Sequence, residues 1–147
     1  MQNIKILILT SLLTFGGFTT AQTQKTQTHN WKDAKDLVLQ ADDFVRQNGV
    51  KSLLKNINEG GFTTANSYVF MLDSSGFLLA HPYRKDLIGT NRALKANYII
   101  RMISIVGKYS SGWIDYSFTD PKTDKTTPKL SFVKRISPSV FIGAGVY

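Results

Sequence analysis

The chain has 147 residues, of which 42% are apolar and 19% are charged, and its formal net charge is +8. This length and composition favour one globular domain with a single core and argue against extended disorder. The 18 Lys and Arg residues are scattered, with no run longer than two, which favours a solvated basic surface with a modest attraction for small anions over a nucleic-acid interface. The absence of Cys excludes disulfides and a lipoprotein anchor.

The N-terminal segment predicts export. A weakly basic start at residues 1–5 precedes an apolar run at 6–18 and small residues at 19–21. This is the pattern of a signal peptide cleaved after Ala21. An uncleaved membrane anchor is the alternative, but polar and glycine residues interrupt a run already shorter than the roughly 20 apolar residues of a membrane span. We therefore expect a periplasmic or secreted protein with a signal peptide at 1–21, a polar linker at 22–30 and a folded domain at 31–147, and no role in binding nucleic acid.

Three helices are predicted from apolar residues that recur at steps of three and four. The first runs from Trp31 to Val45, with Asn30 as its N-cap, and ends at Asn48-Gly49. The second spans 50–57 and is stopped by a Glu-Gly-Gly sequence. The third spans 94–106 and ends before the Ser-Ser-Gly sequence at 110–112.

Five strand-like runs complete the pattern, at residues 68–73, 77–81, 113–118, 129–136 and 140–147. The first is apolar on both faces, which indicates a central strand covered on both sides. A turn at 73–76, with Gly76 supplying a positive φ, joins it to the second. The order of elements predicts an α+β domain with an antiparallel sheet of about five strands, a long N-terminal helix on one face and the middle helix near the other.

Motifs for catalysis are absent. The sequence contains no Gly-x-Ser-x-Gly turn, no phosphate-binding loop, and no His, Asp or Glu cluster with metal-ligand spacing. A general-base pair of His81 with Asp115 would require a contact that only the fold can supply. We therefore expect no enzymatic activity, no metal and no cofactor.

Ligand binding is the better interpretation of the polar residues near the strand ends. An imidazole, a cation and hydrogen-bonding aromatic rings around an apolar cavity would suit a small carboxylate. The residues that could form this cage are His81, Trp113, Tyr116, Tyr68 and Lys129. A lone His is often a structural residue, and each aromatic residue taken singly could belong to the core. For Phe132, a core position is the first interpretation.

The motifs taken together resemble a known family. Ala80-His-Pro82, Gly112-Trp-Ile-Asp-Tyr116, Pro128-Lys129 and Ile142-Gly-Ala-Gly-Val-Tyr147 occur in the order and spacing of the single Cache domain of the second type. This module is the extracytoplasmic sensor of many bacterial chemoreceptors and sensor histidine kinases. The resemblance covers about Trp31 to Tyr147.

The resemblance implies a PAS-like fold with the ligand pocket on the sheet face opposite the N-terminal helix. It implies a small carboxylate such as acetate, propionate or pyruvate as ligand, and signal transduction, as in chemotaxis, through a membrane receptor or kinase. Carried over by position, the pocket candidates are His81, Trp113, Tyr116 and Lys129, with Tyr68 and Phe132 as walls.

Three departures from the family pattern qualify this expectation. Phe132 stands where the family often has Tyr, and Asn91 to Tyr98 lacks the Asp and Gly common before the middle helix. Receptors continue past the last Tyr into a transmembrane helix, whereas this sequence ends at Tyr147, so we expect a free-standing sensor domain that signals through a partner. The alternative is a structural or protein-interaction domain whose degenerate pocket binds no ligand.

Overall fold

The computed structural model describes residues 31–147. The predicted signal peptide, the linker and the N-cap Asn30 lie outside the described residues. The helices are α1 (Trp31–Asn48), α2 (Val50–Asn58) and α3 (Asn97–Tyr109), with a short 3-10 helix at Lys85–Leu87. The strands are β1 (Val69–Asp73), β2 (Leu78–Ala80), β3 (Ser111–Thr119), β4 (Thr126–Ser137) and β5 (Val140–Val146).

The five strands form one antiparallel sheet in the order β2-β1-β5-β4-β3. The last strand of the sequence thus lies at the centre, between β1 and β4. The predicted turn after β1 is present, because Asp73 Oδ1 accepts the N–H groups of Ser75 and Phe77 and Gly76 adopts a φ of +90°. The predicted α+β fold with an antiparallel sheet is confirmed.

Strand alternation divides the sheet into two faces, because successive side chains point to opposite sides. On β5, Ile142, Ala144 and Val146 pack with residues of α1 and α2 into one core cluster. Phe141, on the other face, packs with residues of α3 into a second cluster. Helices therefore cover both faces, and β1 is buried from Val69 through Leu72 as predicted for a central strand.

Two of the differences between predicted and observed element boundaries affect the cavity. Helix α3 begins at Asn97 rather than at Leu94, which is 80% exposed, because the Asn91 side chain and the Arg92 carbonyl accept the N–H groups of the preceding turn. Strand β4 begins at Thr126, so Lys129 lies inside the strand rather than at its start. This position gives Lys129 a fixed face of the sheet.

Candidate functional site

A cavity lies between the sheet and α3, on the face away from α1. Its empty space is about 370 Å³, a volume that includes the solvent at its open mouth. The sheet supplies its floor and the residues from 87 to 102 supply its roof. It is lined by Tyr68, Phe70, Leu72, Leu78, His81, Leu87, Arg92, Tyr98, Ile99, Met102, Tyr116, Phe118 and Lys129.

Two glycines of β5 leave room for the cavity floor. Gly143 and Gly145 occupy the same face as Phe141. A Cβ at Gly143 would overlap the Phe70 ring, and a Cβ at Gly145 would overlap Ser131 Oγ and lie 2.7 Å from Lys129 Cε. The missing side chains therefore allow Phe70 and Lys129 to extend across the central strand.

Lys129 is the polar centre of the cavity. It is only 2% exposed, and its Nζ donates to the hydroxyl of Tyr68 at 2.7 Å and to that of Tyr147 at 3.2 Å. The same Nζ lies 3.9 Å from the centre of the Tyr68 ring and 4.6 Å from that of Tyr147, close enough for cation–π attraction. Lys129 forms no ion pair with any residue in the described part of the chain.

Burial holds the pKa of the Lys129 ammonium well below its usual range, and the negative charge of Asp120 only partly opposes this. Removing a charge from water without a counter-charge is costly, so burial destabilises the ammonium relative to the neutral amine. An anion placed beside Nζ would stabilise the ammonium. The chemistry of the site therefore suits a negatively charged group.

The phenols beside Lys129 remain protonated at neutral pH. Burial raises the pKa of Tyr147 to about 12 and also raises that of Tyr68. Their hydroxyls are 2.7 Å apart, so one donates to the other. When Lys129 is protonated, two of its three N–H groups donate hydrogen bonds to these oxygens. One N–H of Lys129 and one phenol O–H then remain available to a ligand.

His81 contributes a further donor. Its ring is buried, and Nδ1 accepts the backbone N–H of Tyr83 at 3.1 Å and that of Arg84 at 2.9 Å. Burial, together with the nearby charge of Lys129, lowers the pKa of His81 to about 3. The ring is therefore neutral with its proton on Nε2, and this N–H has no hydrogen-bond partner among residues 31–147.

Tyr116 forms the side wall. It lies directly opposite Lys129 across β3 and β4, and its hydroxyl is 3.0 Å from Ser131 Oγ. Its ring stacks on that of Tyr98 from α3, with centres 4.3 Å apart. The stack joins the sheet to the helix on one side of the cavity.

Four of the six predicted site residues converge here: Tyr68, His81, Tyr116 and Lys129. Trp113 and Phe132 do not. They pair across β3 and β4 on the opposite face of the sheet, with ring centres 5.1 Å apart, in the cluster beneath α1. Each lies three residues from a cavity residue on the same strand, and an odd separation places two strand residues on opposite faces.

The general-base pair of His81 with Asp115 does not form, because Asp115 is exposed and its carboxylate binds Arg101 at 3.2 Å.

Two further polar residues, Arg92 and Tyr98, line the cavity but were not predicted from the sequence. Arg92 lies in the loop before α3, where no strand periodicity assigns it a face. Within the described residues, no group of three or more His, Cys, Asp or Glu residues could hold a metal ion.

Comparison with known families decides what kind of domain this is. A family model described as a Cache domain matches residues 24–147. The chain belongs to the Cache domain family. The cavity described above lies on the sheet face away from the N-terminal helix, which is the face on which the resemblance predicts the ligand pocket.

Solved structures share this fold. One, from a study of carboxylic acid recognition by a Cache chemosensory domain, has a TM-score of 0.67 at 20% identity and covers 79% of this chain and 91% of its own. A methyl-accepting chemotaxis protein from Vibrio parahaemolyticus has a TM-score of 0.67 at 18% identity, with 79% and 86% covered. A periplasmic sensor domain of a chemotaxis protein has a TM-score of 0.59 at 20% identity, with 79% and 88% covered.

At these identities the likeness establishes the fold. No curated protein shows significant sequence similarity to the chain. Among residues 31–147 of this Cache domain, no helix is both long and apolar enough to cross a membrane.

The glycine at 145 provides a test of how the cavity floor is built. We expect Gly145→Ala to lower the free energy of unfolding by roughly 1–3 kcal/mol, because the new methyl group would also lie 2.8 Å from the Leu130 carbonyl, which strand pairing holds in place. Chemical denaturation measures this change. Gly107→Ala, in α3 with nothing near its Cβ, is the matched control and should be neutral or slightly stabilising. Equal effects of the two substitutions would contradict the packing described here.

The buried His81 predicts a pH dependence of stability. Its folded-state pKa of about 3 lies below the ordinary value of 6.5, so between these values the unfolded chain binds more protons and stability falls as pH falls. His81→Asn retains an acceptor for the two backbone N–H groups but cannot titrate. Unfolding free energies measured from pH 7 to pH 4 should therefore fall more steeply for the parent than for the variant. Parallel curves would show that His81 is not buried in the neutral form.

Proposed function

We propose that this Cache domain is an extracytoplasmic single-Cache sensor of the second type that binds a small organic anion. Acetate, propionate and pyruvate represent the ligand class, and a membrane receptor or kinase would receive the signal. The domain acts by binding rather than by catalysis. The observation that carries the proposal is the burial of Lys129, without an acidic partner among the described residues, at the centre of a cavity.

The donors around Lys129 match the chemistry of a carboxylate. A carboxylate accepts through two oxygens and has about four lone-pair positions. The free N–H of protonated Lys129, the remaining phenol O–H of the Tyr68 and Tyr147 pair, and the Nε2–H of His81 can all donate. Charge-assisted hydrogen bonds of this kind are stronger than neutral ones. No Asp or Glu is among the lining residues, although the negative charge of Asp120, outside the lining, acts on Lys129.

The apolar part of the cavity suits a short carbon chain. Phe70, Leu72, Leu78, Ile99 and Met102 line it on the floor and roof. A ligand of about four heavy atoms gains at most roughly −1.5 kcal/mol per atom, which corresponds to a Kd in the tens of micromolar. That affinity suits a sensor of metabolite concentration. The carboxylic acid recognition named for a structural neighbour of the same fold is consistent with this ligand class.

Binding would transmit a signal by shifting a conformational population. An anion beside Lys129 keeps the ammonium charged and draws the hydrogen-bonding groups of β1, β4 and the His81 turn towards one point. Because Tyr98 of α3 stacks on Tyr116 beside Lys129, α3 would respond to the same event. Ligand-dependent packing of α3 on the sheet is therefore the proposed output.

A degenerate pocket is the competing hypothesis, and its main support in the sequence was Phe132 in place of Tyr. Phe132 packs on the opposite face of the sheet. The missing hydroxyl therefore removes no group from this cavity. The two hypotheses differ in one expected result: a sensor is stabilised by a carboxylate, and a domain with a degenerate pocket is not.

A thermal-shift screen of the purified protein against acetate, propionate, pyruvate and succinate tests the proposal. At 100 times its Kd, a ligand should add about 2.7 kcal/mol of stability and raise the Tm by several degrees. Lys129→Met should abolish the shift, since charge-assisted contacts are worth roughly 1.5–3 kcal/mol.

The ligand-free Lys129→Met protein supplies the control. Replacing an unpaired buried amine with an apolar side chain should leave its Tm equal to or above that of the parent. A lower Tm would mean that Lys129 serves folding. If no carboxylate shifts the parent, the degenerate interaction domain becomes the better account.

The extracytoplasmic location rests on the sequence of residues 1–21. When the gene is expressed in a bacterium with an intact secretion system, the exported protein should begin at Gln22. N-terminal sequencing or intact mass measures this directly. Retention of Met1 with the protein in the membrane fraction would instead support an uncleaved anchor.

A further inference from the structure

The cavity contains a second cation, which the carboxylate site around Lys129 does not use. Arg92 lines the cavity from the loop between β2 and α3, on the roof rather than on the sheet. Burial raises the pKa of Tyr98, whose ring stacks on Tyr116, and the nearby positive charge of Arg92 opposes this rise. Lys129 thus lines the cavity from the sheet and Arg92 from the loop before α3, and the stacked rings of Tyr98 and Tyr116 line it too.

The loop holds the Arg92 backbone in place. Its N–H donates to the Gly76 carbonyl at 2.7 Å, and its own carbonyl accepts the N–H groups of Lys95 and Ala96 at 3.0 and 2.9 Å. The neighbouring Asn91 side chain also caps this turn through the Ala93 N–H at 3.0 Å. Arg92 is thus presented from a hydrogen-bonded turn, an arrangement that reduces the entropy lost when it binds a ligand.

Neither cation has an acidic partner within the described part of the chain, and no Asp or Glu lines the cavity. A monocarboxylate bound at Lys129 would leave Arg92 without a counter-charge. An amino acid would bring an ammonium group that finds no carboxylate. Leu72, Ile99 and Met102 also line the cavity and offer apolar contact for methylene groups.

We propose that the preferred ligand is a short dicarboxylate, with one carboxylate at Lys129 and the second at Arg92. This rests on the proposed function and specifies its ligand class. Arg92 is the specificity-determining residue, because a planar guanidinium binds a carboxylate through two parallel hydrogen bonds. Such a ligand spans from the sheet to the loop before α3, so it ties the two layers together more directly than a monocarboxylate.

Isothermal titration calorimetry on the purified protein tests the proposal with succinate and butyrate, which share a carbon chain and differ in the second carboxylate. Glutarate and valerate form a second such pair. We expect each dicarboxylate to bind roughly tenfold or more tightly than its partner, the gain of one charge-assisted contact. Arg92→Gln should reduce this ratio to about one, because it weakens binding of the dicarboxylate more than binding of the matched monocarboxylate.

Two further variants make the result specific. Lys95→Gln removes the same charge from an exposed position in the same turn and should leave the ratio unchanged. Arg92→Lys keeps the charge but not the planar fork and should give an intermediate ratio.

Binding of all four acids with equal affinity, or an equal loss for both members of a pair in Arg92→Gln, would overturn the dicarboxylate assignment while leaving carboxylate binding intact. Failure of every acid to bind the parent would instead overturn the proposed function.

Discussion

The burial of the Lys129 amine without an acidic partner among the described residues is the constraint on which the site depends. A buried ammonium is costly unless a counter-charge or hydrogen bonds compensate it. Here two phenols and several aromatic faces compensate it in part, and burial still holds its pKa well below the usual range. In the proposed sensor a bound anion supplies the missing counter-charge. Part of the binding free energy then comes from stabilising the buried Lys129 ammonium. The charge state of Lys129 therefore distinguishes the occupied cavity from the empty one.

The sheet makes this arrangement compatible with a stable core. Alternation along each strand gives one face to packing against α1 and α2 and the other to the cavity beneath α3. Gly143 and Gly145 carry no side chain on the cavity face, while Ile142, Ala144 and Val146 fill the core on the other. On this strand, Ile142, Ala144 and Val146 thus serve the core beneath α1, whereas Gly143 and Gly145 leave space for the cavity floor.

Much of the fold and of the cavity lining was predictable from the sequence, and the exceptions have physical reasons. The periodicities predicted the elements and the antiparallel sheet, and the family motifs predicted which face holds the cavity. Trp113 and Phe132 were grouped with Tyr116 and Lys129 although each lies three positions away, and a strict count of strand alternation would have separated them. Arg92 lies in a loop, where sequence position assigns no direction to a side chain. The glycines of β5 were visible, but only the register of β4 on β5 shows that they make room for Lys129.

The most direct test of the account is the ionisation of Lys129 itself. NMR titration of the protein with isotope-labelled lysine side chains would report the Lys129 pKa, with assignment by comparison to Lys129→Met. The account predicts that Lys129 titrates well below the other lysines in the free protein. It also predicts that at least one of acetate, propionate, pyruvate and succinate raises this pKa markedly, because a bound carboxylate stabilises the ammonium. An ordinary lysine pKa in the free protein, or a depressed one that none of these acids changes, would contradict it.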